Sequence, residues 1–475
     1  MKTGFSFGHA SGADWHEAAE RCLTALGRIP AAGNLGILYV TDALAGYMGE
    51  VLDHFREATG VVHWVGTVGV GVCATGVEYY EQPAVVAMIG EFPDDSFRVF
   101  PSILKDLDDF TRHHGDWMET HRPFLGLVHV DPSNPLAEAL IKQLADRTVS
   151  GFLVGGLASS RADVHLYADV LAQGGIAGVF FSQEVGVVTR LSQGCAPIGP
   201  HRVVTEAQRN IMIQLDGRPA LDVLKEDIGE ILSRDLARIG GYIFAGLPIV
   251  GSDTGDYLVR NLVGIDPQNG LVAIGDLVEQ SGRVMFCRRD ANTAREDLLR
   301  MLATIRKNLS GPPRGGIYIS CLGRGRNLFG KDSNELKLIA AELGDFPLVG
   351  FYANGEISQD RLYGYTGVLT LYYLMISFST TSSQYRDWVF GAGPRKRNFP
   401  VAQVKSRHEH EPFFQTHSML GKTLILNTPV SPVYLEVYSD FLKARGRKSA
   451  FNRLPVQAGD AIKLVGPSLT ATPGG

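Results

Sequence analysis

Apolar and polar positions fall in blocks along the chain, and one succession of blocks recurs three times. Each round opens with a short apolar run containing an early glycine: Leu35–Val40, Leu125–Val130 and Gly315–Ser320. These runs are bounded by turn formers and rich in β-branched or aromatic residues, which predicts strands. Apolar residues then return at helical spacing, as at Leu136, Leu140 and Leu144, predicting helices over Ala43–Thr59, Pro135–Arg147 and Asn334–Leu343. A second strand ends in Val-Gly at Gly66, Gly155 and Gly350, and a third (Ala84–Ile89, Ile176–Phe181, Val368–Tyr373) follows about twenty residues later.

Strand, helix, strand, hairpin, strand reads as a βαβ crossover extended by antiparallel strands. The predicted fold class is therefore α/β, with mixed sheets built from repeated β-α-β-β units and flanking helices. In such sheets ligands gather at the carboxyl ends of strands, where the Val-Gly positions are expected to form loops. Glycines there either let backbone approach a ligand or only permit tight hairpins; both readings stay open. Between Gln183 and Leu309 the repeat is interrupted, with strands expected over 184–192, 210–215 and 241–249, and helices over 219–236 and 291–309.

Composition narrows the class. With 45% hydrophobic residues, 23 Phe and 16 Tyr, the chain is not disordered, and no apolar run approaches the roughly 18 residues of a membrane span. The start of the chain lacks an export signal, and five scattered cysteines without CxxC spacing suit a reducing, cytoplasmic setting. Charge is uneven: residues 376–475 carry a net +7 and the preceding residues −12, so the last hundred form a small basic C-terminal segment of different character.

Several motifs carry candidate chemistry. In Ser320-Cys321-Leu322-Gly323-Arg324-Gly325-Arg326, a thiol precedes glycines alternating with arginines, which could offer backbone N–H groups and guanidinium forks to an anion and favour the thiolate. A plain Gly-rich turn with solvated arginines is the alternative, and the segment lacks the Lys-Ser/Thr of a phosphate loop. The Gly194–Pro200 turn bears Cys195, and the polar stretch 246–257 carries Ser252, Asp253 and Thr254; both read first as structural turns. His408, His410 and His417 form an HxH plus a third histidine, a weak metal candidate against a solvated polar strand. No nucleophile elbow or HExxH pattern is present.

Five ordered motifs resemble the FIST proteins (F-box and intracellular signal transduction): Leu153-Val154-Gly155-Gly156-Leu157-Ala158-Ser159-Ser160, Ser192–Pro200, Leu215–Ala220, Ser320–Gly325 and Gly350–Ile357. The resemblance covers Met1 to Tyr373 and implies an N-terminal FIST domain over 1–220, a C-terminal one over 221–375, and an extension of unknown type over 376–475. It further implies a bacterial sensory module binding a small molecule such as an amino acid, with output through a separate signalling protein. Some relatives bind haem, and no histidine here can be assigned to it.

The expected ligand site comprises Gly155, Gly156 and Ser159 from the second unit, with Cys321, Gly323, Arg324, Gly325, Arg326, Asn354 and Glu356 from the third. A small zwitterion or anion suits these groups. A Cys321-dependent enzyme and a haem or metal sensor are the alternatives. The basic patches at 395–397 and 443–448, with strands expected over 422–427 and 461–465 and a helix over 435–444, read first as a solvated basic surface and could also dock an acidic partner or the acidic body. Nucleic acid ranks behind these, and a membrane partner is not expected.

Overall fold

A polar loop and an amphipathic helix between two apolar strands leave the strands parallel, because only a crossover spans that length. The computed structural model describes residues 4–249, 256–309 and 311–373, with the backbone of seven short strands between 404 and 471. The crossover occurs three times, and each unit begins one strand and one helix earlier than the sequence pattern indicates. The first runs β1 (Phe5–Ser11), α1 (Trp15–Leu26), β2 (Leu35–Thr41), α2 (Met48–Thr59), β3 (His63–Gly69), the hairpin β4 (Gly71–Ala74) and β5 (Val77–Tyr80), and β6 (Ala84–Gly90). The second repeats this as β7 (Phe97–Ile103), α3 (Asp108–His121), β8 (Leu125–Val130), α4 (Ala137–Arg147), β9 (Leu153–Leu157), β10 (Leu166–Ala168), β11 (Val170–Ala172) and β12 (Ile176–Phe181).

The third unit starts with β13 (Val187–Gln193) and is then split by an insertion. The insertion holds β14 (Cys195–Pro197), β15 (Arg202–Gln208), β16 (Ile211–Leu215), β17 (Arg218–Pro219), α5 (Ala220–Ser233), β18 (Ile243–Pro248), β19 (Tyr257–Asp266), β20 (Leu271–Ile274) and β21 (Arg283–Arg289). The unit resumes with α6 (Ala291–Asn308), β22 (Gly315–Cys321), α7 (Asn334–Leu343), β23 (Leu348–Ala353), the hairpin β24 (Glu356–Gln359) and β25 (Arg361–Tyr363), and β26 (Thr366–Tyr372). In the insertion β21 pairs with β15 and with β18, closing an antiparallel barrel in the order β15-β16-β20-β19-β18-β21. Leu221 and Leu224 of α5 join Val272 and Phe286 in its core.

The three six-stranded sheets have equivalent orders: β1-β6-β2-β3-β10-β11, β7-β12-β8-β9-β24-β25 and β13-β26-β22-β23-β4-β5. Each unit lends its hairpin to another unit's sheet: the first to the third, the second to the first, the third to the second. This exchange ties the units into one body, residues 1–250 and 255–374. It also explains the Val-Gly positions, which are not strand ends. Gly66, Gly155 and Gly350 lie inside β3, β9 and β23, paired in parallel with Leu38, Val128 and Tyr318. A Cβ there would sit 1.7, 1.8 and 1.8 Å from those residues' carbonyl oxygens, so the glycines serve close strand approach.

The second compact unit comprises residues 251–254 and 375–475. Its strands include the antiparallel run Phe413–Leu420, Thr423–Asn427 and Pro432–Glu436, and the pair Ala461–Val465 and Ser468–Ala471. The strands expected over 422–427 and 461–465 are thus present. The expected helix over 435–444 begins inside a strand instead, and its remainder lies outside the described residues, as do the basic patches, residues 250–255, His408 and His410. His417 lies in Phe413–Leu420. Among the described residues no helix is long and apolar enough to cross a membrane.

Candidate functional site

Because the three units are equivalent, positions that differ among them are informative. The residues ending the first crossover strand, Thr41, Asp131 and Cys321, correspond. In the first two units this side chain accepts a backbone N–H from the entry to the unit's last strand, Ala84 to Thr41 Oγ1 at 2.9 Å and Gly174 to Asp131 Oδ2 at 2.8 Å, whereas the Cys321 sulfur accepts the Gly323 amide at 3.4 Å. A hydroxyl and a carboxylate close the first two turns. The third uses a thiol, a weaker acceptor.

Beyond Cys321 the chain buries charge. Arg324 and Glu335 are fully buried, with the guanidinium Nη2 and Nε 2.7 and 2.8 Å from Glu335 Oε1. Glu335 also accepts the Tyr318 hydroxyl at 2.7 Å, the Ser320 hydroxyl at 3.2 Å and the Gly325 amide at 2.9 Å. Arg324 further approaches Ser192 and stacks on Phe329, 5.0 Å from the ring centre. Burial alone would lower the Arg324 pKa, and the Glu335 carboxylate outweighs it, so the guanidinium stays charged. Gly325 has φ +51°, and a Cβ there would meet the Tyr80 hydroxyl at 2.3 Å. Arg326 pairs with Glu81 at 2.9 Å and lies over Tyr80. The turn expected to present guanidinium forks and the Gly325 amide to a ligand thus spends both arginines and that amide on the protein's own carboxylates.

A different carboxyl faces inward without such compensation. The exchanged hairpin places Glu356 opposite Gly156 and Ile357 opposite Gly155, uniting expected site residues of the second and third units. Gly156 makes this approach feasible, since a Cβ would lie 2.7 Å from Ala353. Ser159 donates to the Tyr352 carbonyl at 2.5 Å and accepts the Val70 amide at 2.9 Å, fixing the loop that follows β9. Asn354 is exposed beside them and its amide donates to the Leu157 carbonyl at 3.0 Å. Glu356 Oε2 accepts the Thr366 amide at 3.0 Å and hydroxyl at 2.8 Å, whereas Oε1 is buried with no hydrogen-bond partner among the described residues. Burial pushes this carboxyl up to about 8, against the opposing pull of the Thr366 donors, Arg324 and the adjacent Cys321 thiol, a weak donor.

Gln193, cross-strand from Thr366, has a second such acceptor. Its Nε2 donates to the Tyr257 carbonyl at 3.3 Å, leaving a buried Oε1 without a partner among the described residues. Tyr365 is drawn to the same place. Its backbone is left-handed (φ 63°), its ring covers Gly323 and packs on Phe244 of the barrel, and its hydroxyl donates to Asn261 Oδ1 at 2.9 Å. Gln193 and Tyr365 escape sequence inspection because neither stands in a motif with chemical meaning.

Cys321 itself is 8% exposed. Burial pushes its thiol up and neighbouring Glu356 pushes it further, which keeps it protonated at neutral pH rather than activated as a nucleophile. The only buried histidine among the described residues, His129, hydrogen-bonds Tyr39 at 3.0 Å, packs on Phe351, and exposes no surface to a porphyrin.

Compared with known families, residues 34–218 match the FIST N domain and residues 220–359 the FIST C domain. An uncharacterized protein of Mycobacterium tuberculosis is 35% identical over 334 residues, covering 65% of this chain and 83% of its own length. An uncharacterized protein of Mycobacterium bovis is 29% identical over 362 residues, covering 72% and 91%.

Proposed function

The chain belongs to the FIST family, whose domains are associated with sensory roles in signal transduction, and from that premise we propose that the end of its third unit binds a small ligand. The observation that carries this reading is the buried Glu356 Oε1, which meets no N–H or hydroxyl donor among the described residues; Thr366, which holds Glu356 Oε2, stands cross-strand from Gln193, whose Oε1 is a second such acceptor. In the free chain the raised pKa leaves Glu356 protonated at neutral pH; an ammonium, as of an amino acid or a small amine, would draw it into the carboxylate form with release of that proton to solvent, and Oε1 would then accept beside Gln193 Oε1. Arg324 does not receive the ligand's carboxylate on this reading; it positions the turn by holding Glu335.

Tyr365 then links binding to response. A ligand reaching Glu356 displaces the tyrosine that covers Gly323, which breaks its hydrogen bond to Asn261 of the barrel and biases the barrel between two arrangements. The expected setting is the cytoplasm, with a separate protein as output. A thermal-shift screen of amino acids, primary amines and simple carboxylates tests the site. An ammonium-bearing compound should stabilise the wild type and lose its effect in Glu356→Gln. A carboxylate-only stabiliser, or one indifferent to Glu356→Gln, defeats the proposal.

A further inference from the structure

Away from that site, the first unit carries a cluster of a different kind. Asp14 caps α1 by accepting the Glu17 amide at 2.9 Å, and this register puts His16 and Glu20 one turn apart on a single face. His54 of α2 meets them, its Nε2 2.7 Å from Glu20 Oε1. One ligand atom from each of the three residues lies within 4.8 Å of the others. The imidazoles are held in place: Trp15 packs edge-on against both rings, at 5.4 and 6.3 Å, and the rings themselves are 5.5 Å apart.

We propose that His16, Glu20 and His54 form a divalent transition-metal site of the zinc class, joining α1 to α2. Two imidazoles and one carboxylate are a donor set suited to zinc, with a fourth position left to water. Bonds of about 2.0–2.1 Å in a tetrahedral site separate ligand atoms by roughly 3.3 Å, so the exposed His16 and Glu20 side chains need move only on the order of 1 Å. Glu50, exposed one turn before His54 on α2, adds negative charge near the cation. A bound metal would cross-link two helices that pack on the same sheet.

The test uses the full chain, so that His408, His410 and His417 are retained in every sample. Zinc stoichiometry and affinity are measured by competition with a chromophoric chelator, cobalt absorption reports the coordination, and melting is followed with and without zinc. The wild type should bind one more zinc than a His16→Ala/His54→Ala variant, and zinc should raise the melting temperature only of the wild type. Glu20→Gln should weaken binding at least tenfold. All three side chains are at the surface, so the variants should fold. Equal stoichiometry and equal melting shifts in wild type and double variant would overturn the site, as would unchanged affinity in Glu20→Gln.

Discussion

The first two units and the third solve the same turn with different chemistry. Thr41 and Asp131 close their turns with a hydroxyl and a carboxylate matched to backbone N–H groups. The ion pair beside the first unit's turn, Asp42 with Arg161 of the second unit, keeps its guanidinium exposed, at 57%. The third unit replaces the hard acceptor by a thiol, seals an ion pair away from water, and leaves a buried carboxyl oxygen without a partner among the described residues. Identical framework with divergent ends separates what the fold requires from what a ligand would use. The inserted barrel lies beside this turn, with Phe244 packed on Tyr365 and Asn261 accepting its hydroxyl.

The sharpest way to break the comparison is to remove one member of each ion pair. Arg324→Met strands a buried carboxylate and should cost about 3–5 kcal/mol in denaturant unfolding, and adding Glu335→Leu should recover little, because it leaves the Tyr318 and Ser320 hydroxyls and the Gly325 amide without their acceptor. Arg161→Ala should cost about 1 kcal/mol or less, because Asp42 keeps the Arg161 and Ala43 amides. Equal costs would erase the distinction between the units. Where the units are alike, the response should be alike. Gly66→Ala and Gly350→Ala each force a Cβ onto a strand carbonyl, and both should destabilise by about 1–3 kcal/mol or more. Of similar size, Thr41→Ala should cost about 1–3 kcal/mol by orphaning the Ala84 amide. Cys321→Ser restores a hydroxyl acceptor and should stay within about 1 kcal/mol of wild type by the same measurement.

The sequence showed the crossover strands, their helices and the family because those features are local: a period of two or 3.6, and contiguous motifs. It missed the strand and helix that open each unit. In α3 only Phe110 and Trp117 are buried, too few to set a helical stripe, and in the third unit the insertion separates β13 from α6. The hairpin exchange was also hidden, since nothing local says that Glu356 pairs with Gly156. The fold sets Gly156 of the second unit against Glu356 of the third, whereas the Arg324–Glu335 contact that redirects the arginine depends on the folded turn. The Val-Gly glycines looked like loops because glycine ends strands as often as it permits close strand contact.

The central claim is that Glu356 is a buried carboxyl without full compensation, the feature on which the proposed binding site in the third unit rests. Its pKa is raised to about 8 from the ordinary 4.5, so the folded chain keeps a proton that the unfolded chain loses between those values. Stability from this group is present at low pH and is lost as pH rises from about 4.5 through about 8. Denaturant unfolding of wild type and Glu356→Gln from pH 4 to pH 9 measures it directly. The wild type should weaken relative to Glu356→Gln across that window, by on the order of 2–4 kcal/mol at the alkaline end. Parallel profiles would contradict the account.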